Sequence, residues 1–114
     1  MNIKKNPIRE VEKLYPQTTT EFKKIQQEQY ELFCRKQFDY GPGNISVGTQ
    51  LKTQEEKDFS LLGLWFRKND KIQRLQNLFI KQNNPENESI EDSYLDLSNY
   101  SIISLLVKRG KWSK

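Results

Sequence analysis

Apolar residues along this chain recur at helical spacing rather than in strict alternation, which predicts helices separated by polar breaks. A short helical pattern covers residues 8–14 and stops before Pro16. Gln17-Thr18-Thr19-Thr20 followed by Glu21 supplies hydroxyls suited to starting a helix. From there Phe22, Ile25, Gln29, Phe33 and Lys36 follow one side, with Phe22, Ile25, Leu32 and Phe33 as its expected buried stripe. Asp39-Tyr40-Gly41-Pro42-Gly43-Asn44 ends it, because glycine favours the position just past a helix and proline cannot continue one.

Residues 44–57 read as a loop or short extended piece. A second main helix is expected over 58–81, burying Leu61, Leu64, Trp65, Ile72, Leu75 and Phe79. The polar run Gln82-Asn83-Asn84-Pro85-Glu86-Asn87 breaks it. A third helix is expected over 89–108, closed by Gly110. The expectation is an all-α fold: one small helical bundle of three to four main helices spanning 1–114, with 1–16 as a basic N-terminal segment.

Composition sharpens this picture in a few places. Only 34% of the 114 residues are hydrophobic and 30% are charged, a balance that approaches that of disordered chains. Two Trp, five Tyr and six Phe supply core material all the same. A small chain of this kind buries little on its own, so a homo-oligomer is expected. Cys34 is the single cysteine, which excludes an internal disulfide, and with no His a Cys/His zinc site and a His-based triad are excluded too. The net charge of +4 favours anionic partners. No signal peptide and no membrane span is read, so a cytoplasmic protein is expected.

The candidate chemistry lies on the third helix. With Asp92 as reference, Asp96 falls about 40° to one side, Asn99 about 20° to the other and Glu88 within about 40°. Leu95, Leu97, Tyr100, Ile102, Ile103, Leu105 and Leu106 surround them. A helix apolar on nearly every side is expected to be buried, and a buried carboxylate needs a cation. Carboxylates four residues apart suit Mg²⁺, which takes one or two of them and completes its shell with water and phosphate. Ser89-x-x-Asp92 also fits a capping box, which leaves Asp92 open between cap and ligand. Asp96 and Asn99 lie too deep in the helix to be caps, and a salt bridge or hydrogen-bond network with Lys71 or Arg74 is their structural alternative.

On the second helix Arg67, Asp70, Lys71, Arg74 and Asn77 lie opposite Trp65 and Ile72. Arginine forks and a lysine at this spacing suit a polyphosphate, with Asp70 as a further metal ligand. The alternative is a solvated face laced by Arg67–Asp70 and Asp70–Arg74 pairs. The glycine loop offers amides to an anion, with Asp39 and Tyr40 as substrate contacts, although it matches no Walker or Rossmann fingerprint. Glu28 and Glu31 have Glu-x-x-Glu spacing and rank behind the third-helix acids.

Three segments, in order, resemble a known family: Lys36-x-x-Asp39-Tyr40-Gly41-Pro42-Gly43-Asn44-Ile45, then Gly63-Leu64-x-x-Arg67-x-x-Asp70-Lys71-x-x-Arg74-Leu75-x-Asn77-Leu78, then Glu88-Ser89-Ile90-Glu91-Asp92-x-x-x-Asp96-Leu97-x-Asn99-Tyr100. Together with Arg109-Gly110-x-Trp112 they look like the nucleotide modification associated domain of type 1, found in bacteria and their phages, over about residues 20–112. That family is similar in turn to the MazG-like all-α nucleotide pyrophosphohydrolases, which bind Mg²⁺ through paired acids and often form dimers or tetramers. Asp70-Lys71 and the four-residue Asp92–Asp96 spacing depart from the Glu-Glu-x-x-Glu and Glu-x-x-Asp pattern of those enzymes.

The resemblance and the residues together give two expectations. The first is a Mg²⁺- or Mn²⁺-dependent nucleotide pyrophosphohydrolase linked to base modification, with Asp96 and Asp92 catalytic. Asp92, Asp96, Glu88 and Asp70 would be metal ligands, and Arg67, Lys71, Arg74, Asn77, Asn99, Asp39 and Tyr40 would contact substrate. The second is a nucleotide-binding protein without catalysis, or an accessory to a modification enzyme. Direct nucleic-acid binding through Lys4, Lys5, Arg9, Lys108, Arg109, Lys111 and Lys114 ranks below both.

Overall fold

The computed structural model describes residues 4–81 and 84–114. Among them are five helices and no strand: α1 (Pro7–Leu14), α2 (Pro16–Tyr40), α3 (Gly43–Ser46), α4 (Gln54–Lys81) and α5 (Ile90–Lys108). The all-α expectation stands. Gln82 and Asn83, the first residues of the expected polar break, lie outside the described residues.

Local chemistry explains the helix ends. Asn6 Oδ1 accepts from the Ile8 and Arg9 amides and starts α1 ahead of Pro7. Tyr15 closes α1 and opens α2 directly, with Pro16 in the first position of α2. The threonine run does not cap α2: Thr19 lies inside the helix and donates back to the Tyr15 and Pro16 carbonyls. Proline makes the cap dispensable, because it has no amide to satisfy there and its φ is already helical. Gly41, at φ 69°, ends α2.

The expected loop over 44–57 holds more structure than its pattern suggested. Residues 43–46 form α3, whose Ile45 and Ser46 are buried. The second main helix starts at Gln54 rather than at Asp58. Thr53 Oγ1 accepts from the Glu56 amide at 3.1 Å and Glu56 Oε1 accepts from the Thr53 amide at 3.1 Å, a reciprocal pair that opens the helix.

Helix α5 lies antiparallel on α4. Lys57 reaches Gly110, Lys68 reaches Ser104, and Lys71 and Arg74 reach residues 88–96, so the two helices run in opposite senses. Helix α2 crosses α5 through Gln29–Asn99 and Lys36–Asp96. The core is Ile45, Leu64, Ile103, Val107 and Trp112, flanked by Phe33, Leu51, Leu61, Tyr100 and Leu106. Trp112 locks the C-terminal end against the glycine loop, its Nε1 donating to the Pro42 carbonyl at 3.2 Å and its ring meeting Phe33 edge-on.

Two expected buried stripes are only partly buried. On α2, Phe22 and Ile25 are exposed, because the hydrogen bonds and ion pair that tie this helix to α5 start at Gln29, past both of them. On α4, Leu64 and Leu75 are buried while Trp65, Ile72 and Phe79 are about half exposed. The chain is correspondingly open, with a radius of gyration of 17.9 Å, against about 13 Å for a compact domain of this length.

Candidate functional site

The helix crossing places one carboxylate between two ammonium groups. Asp96 is 5% exposed on α5. Lys36 of α2 meets its Oδ1 at 2.7 Å and Lys71 of α4 meets its Oδ2 at 3.1 Å. Lys71 also reaches Glu88 Oε2 at 3.0 Å. Burial pushes the Lys71 ammonium pKa down, and the hydrogen bonds it donates to Glu88 and Asp96, with their negative charges, more than offset this, so its pKa lies above the ordinary 10.5. Three helices are thereby tied through a single buried acid.

Beside it Asn99 and Gln29 satisfy each other. Gln29 Nε2 donates to Asn99 Oδ1 at 3.0 Å and to Ser98 Oγ at 2.7 Å, and Asn99 Nδ2 donates to the Gln29 carbonyl at 3.1 Å. Asn99 therefore sits in the wall as a strut between α2 and α5.

A cavity of about 190 Å³ opens next to Asp96, between α2, α3, α4 and α5. Lys36, Arg67, Asn44 and Tyr40 supply its polar and aromatic rim, with Phe33 and Tyr100 among its apolar walls. Arg67 Nη2 donates to the Asn44 carbonyl at 2.9 Å, which fixes the guanidinium while leaving most of its five donors uncommitted. Lys36 likewise spends one donor on Asp96. The Asn44 side-chain oxygen is buried without a hydrogen-bond partner, the only such side-chain atom among the described residues. Phe33 and Asn99 also border a second, mostly apolar cleft of about 430 Å³, with Gln26, Gln29, Tyr30, Ile102 and Leu106.

The residues singled out by sequence divide sharply. Asp96, Asn99, Arg67 and Tyr40 line the cavity, and Lys71 stands behind Asp96. Asp92 sits in the capping box instead: its amide donates to Ser89 Oγ at 3.1 Å and its Oδ2 accepts from the Ser89 amide at 3.3 Å. Arg74 serves the same helix end through Ser93 Oγ and the Glu88 and Ser89 carbonyls. Asp39, Asp70 and Asn77 are exposed and do not line the cavity, and Glu28 and Glu31 are exposed on α2. Lys36, Gln37, Asn44 and Phe33 line it without having been singled out as ligand contacts. The signal for Lys36 was its helical register with Gln29 and Phe33.

The four acids expected to hold a metal do not converge. Asp92 is spent on its cap, Glu88 pairs with Lys71, Asp70 is exposed, and both Asp96 oxygens face lysines. Among the described residues no three acidic or thiol side chains gather as a metal site. The donor set in this arrangement does not fit Mg²⁺.

The cavity wall from Arg67 to Ile103 falls within the segment that matches a family model. Residues 67–107 match the family model of nucleotide modification associated domain 1. The description links this segment to nucleotide modification. No curated protein and no solved structure matches the chain. The matched segment contributes Arg67, Asp96, Asn99, Tyr100 and Ile103 to the cavity, while Phe33, Lys36, Gln37, Tyr40, Asn44 and Ile45 come from outside it. No helix among the described residues is long and apolar enough to cross a membrane.

Proposed function

We propose that the cavity holds the phosphate end of a nucleotide and that the protein is a nucleotide-binding component of nucleotide modification. One observation carries the reading: Lys36 and Arg67 converge on a cavity whose own carboxylate, Asp96, is shared between Lys36 and Lys71, which leaves a net positive charge facing the cavity. A phosphate group of charge about −1.5 to −2 then meets two cations with donors to spare. At about 190 Å³ the cavity suits a phosphate with its waters rather than a whole nucleotide. Sugar and base lie at its mouth and toward the apolar cleft past Phe33. Asn44 Oδ1 accepts from one of the phosphate's waters and so gains the partner it lacks.

Titration calorimetry against a panel of nucleoside mono-, di- and triphosphates tests this. Binding should weaken at least tenfold in Lys36→Met and again in Arg67→Met, and should fall with added salt. The reading fails if no nucleotide binds the wild type at millimolar concentration, or if Lys36→Met binds as well as wild type.

A Mg²⁺- or Mn²⁺-dependent pyrophosphohydrolase is the second reading, supported by the buried Asp96 next to the phosphate pocket. It requires a metal to displace Lys36 or Lys71 from Asp96, so no catalytic step is drawn through it. Release of pyrophosphate or phosphate from any nucleotide with either metal, abolished by Asp96→Asn, would replace the binding reading.

A further inference from the structure

Helix α4 carries two apolar stripes, and among the described residues only one of them has a partner. Ser60, Leu64 and Leu75 are buried in the molecule. The second stripe repeats every seven residues. Leu62, Asn69 and Gln76 form one row, Trp65, Ile72 and Phe79 the next, and Phe66, Gln73 and Ile80 a third. This is the spacing of a helix seam that packs against another helix. Its six large side chains are 49% (Leu62), 55% (Trp65), 55% (Phe66), 50% (Ile72), 57% (Phe79) and 73% (Ile80) exposed. None of the nine positions is charged, in a chain where 30% of residues are.

We infer that this stripe is the contact between two copies of the chain, with the α4 helices antiparallel about a two-fold axis at Ile72. The stripe carries both halves of a self-complementary fit. At one end Trp65 and Phe66 project as an edge-to-face aromatic pair, ring centroids 5.3 Å apart. Toward the other end an open groove of about 340 Å³ is lined by Ile72, Leu75, Gln76, Phe79 and Ile80. Projection and groove lie on one helix face about 15 Å apart. An antiparallel copy sets Ile72 on Ile72 and inserts each aromatic pair into the partner's groove, an isologous contact that closes on itself.

Charge and area both suit a second copy. With no charge on the stripe, two molecules of net charge +4 meet without placing like charges in contact. The three aromatic side chains carry about 150–250 Å² each and the three aliphatic ones somewhat less, so six side chains about half exposed offer on the order of 500–600 Å² per copy, or about 1,000–1,200 Å² per pair. That is the lower end of stable interfaces. Trp65 and Ile72 lie about 160° and 140° around the helix from Arg67, so the nucleotide cavity stays open and the inference is independent of what it binds.

The full chain is tested by light scattering during size exclusion, under a reductant so that exposed Cys34 forms no disulfide. At micromolar concentration the wild type should have twice the 13.6 kDa chain mass. Ile72→Glu, which sets two carboxylates together at the axis, should halve that mass with helical circular dichroism retained. Phe38→Glu, on the 90% exposed side chain of α2, should leave it unchanged. Trp65 supplies a readout that needs no mutation: diluting the wild type should red-shift its emission, while Trp112, 5% exposed, stays silent. A monomeric wild type overturns the inference. A dimer that survives Ile72→Glu, or that dissociates without a change in Trp65 emission, overturns it too, and would move the contact to the exposed α1–α2 face.

Discussion

The two lysines on Asp96 are unequal partners, and substituting each in turn tests why. Asp96 and Lys71 have side chains only 6% and 18% exposed, whereas Lys36 is 46% exposed. Lys71→Met removes the better-shielded cation and leaves the carboxylate facing a lysine that solvent already screens. Stranding one member of a buried pair typically costs about 3–5 kcal/mol, and the surviving Lys36 reduces that to about 2–3 kcal/mol. In a chain of this size the loss lowers the melting temperature by roughly 8–15 °C. Lys36→Met leaves Asp96 with its better-buried partner and should cost less than about 1 kcal/mol. The double variant Lys71→Met/Asp96→Leu, which removes the stranded charge, should recover much of the loss. Urea unfolding followed by circular dichroism, at one fixed protein concentration, measures all three. The reasoning is refuted if Lys36→Met destabilises as much as Lys71→Met, or if the double variant is no better than Lys71→Met alone. Paired with the calorimetry above, the same variants separate roles: Lys71 holds the fold and Lys36 holds the ligand.

Other consequences follow from single contacts. Gln29→Ala removes both side-chain bonds from the α2–α5 strut and orphans the buried Asn99 oxygen, a loss of about 1–3 kcal/mol in urea unfolding. Ser89→Ala opens the capping box and should cost about 1 kcal/mol while leaving nucleotide binding unchanged, which calorimetry and melting together check. Because Lys71 has a pKa raised above 10.5 in the fold, its contribution is fully present below pH 10.5 and is lost as pH rises through the raised value. Thermal melts from pH 7 upward should therefore show that loss only above about 10.5, and Lys71→Met should flatten it.

Periodicity, glycine placement and capping signatures determine much of this protein by themselves. The three long helices, the stop at Gly41 and the capping box at Ser89 follow from rules acting within a few residues, where backbone sterics and local hydrogen bonds decide. The earlier start of α4 was legible in the same way, as Thr53-x-x-Glu56. Asp96 also stood out, because a carboxylate on an otherwise apolar helix must find a cation once it is buried. Sequence alone left its partner open between metal and lysine. The tertiary structure brings Lys36 and Lys71 to it, from positions 60 and 25 residues away in the chain. No local rule brings them together, since their meeting depends on how α2 and α4 each pack on α5. The same packing gathered Arg67, Asn44 and Tyr40 around one cavity and left Asp39, Asp70 and Asn77 outside it. Periodicity also marked Trp65, Ile72 and Phe79 as a face to be covered, and it could not say by what. Among the described residues nothing covers that face, because α5 already occupies the other side of α4.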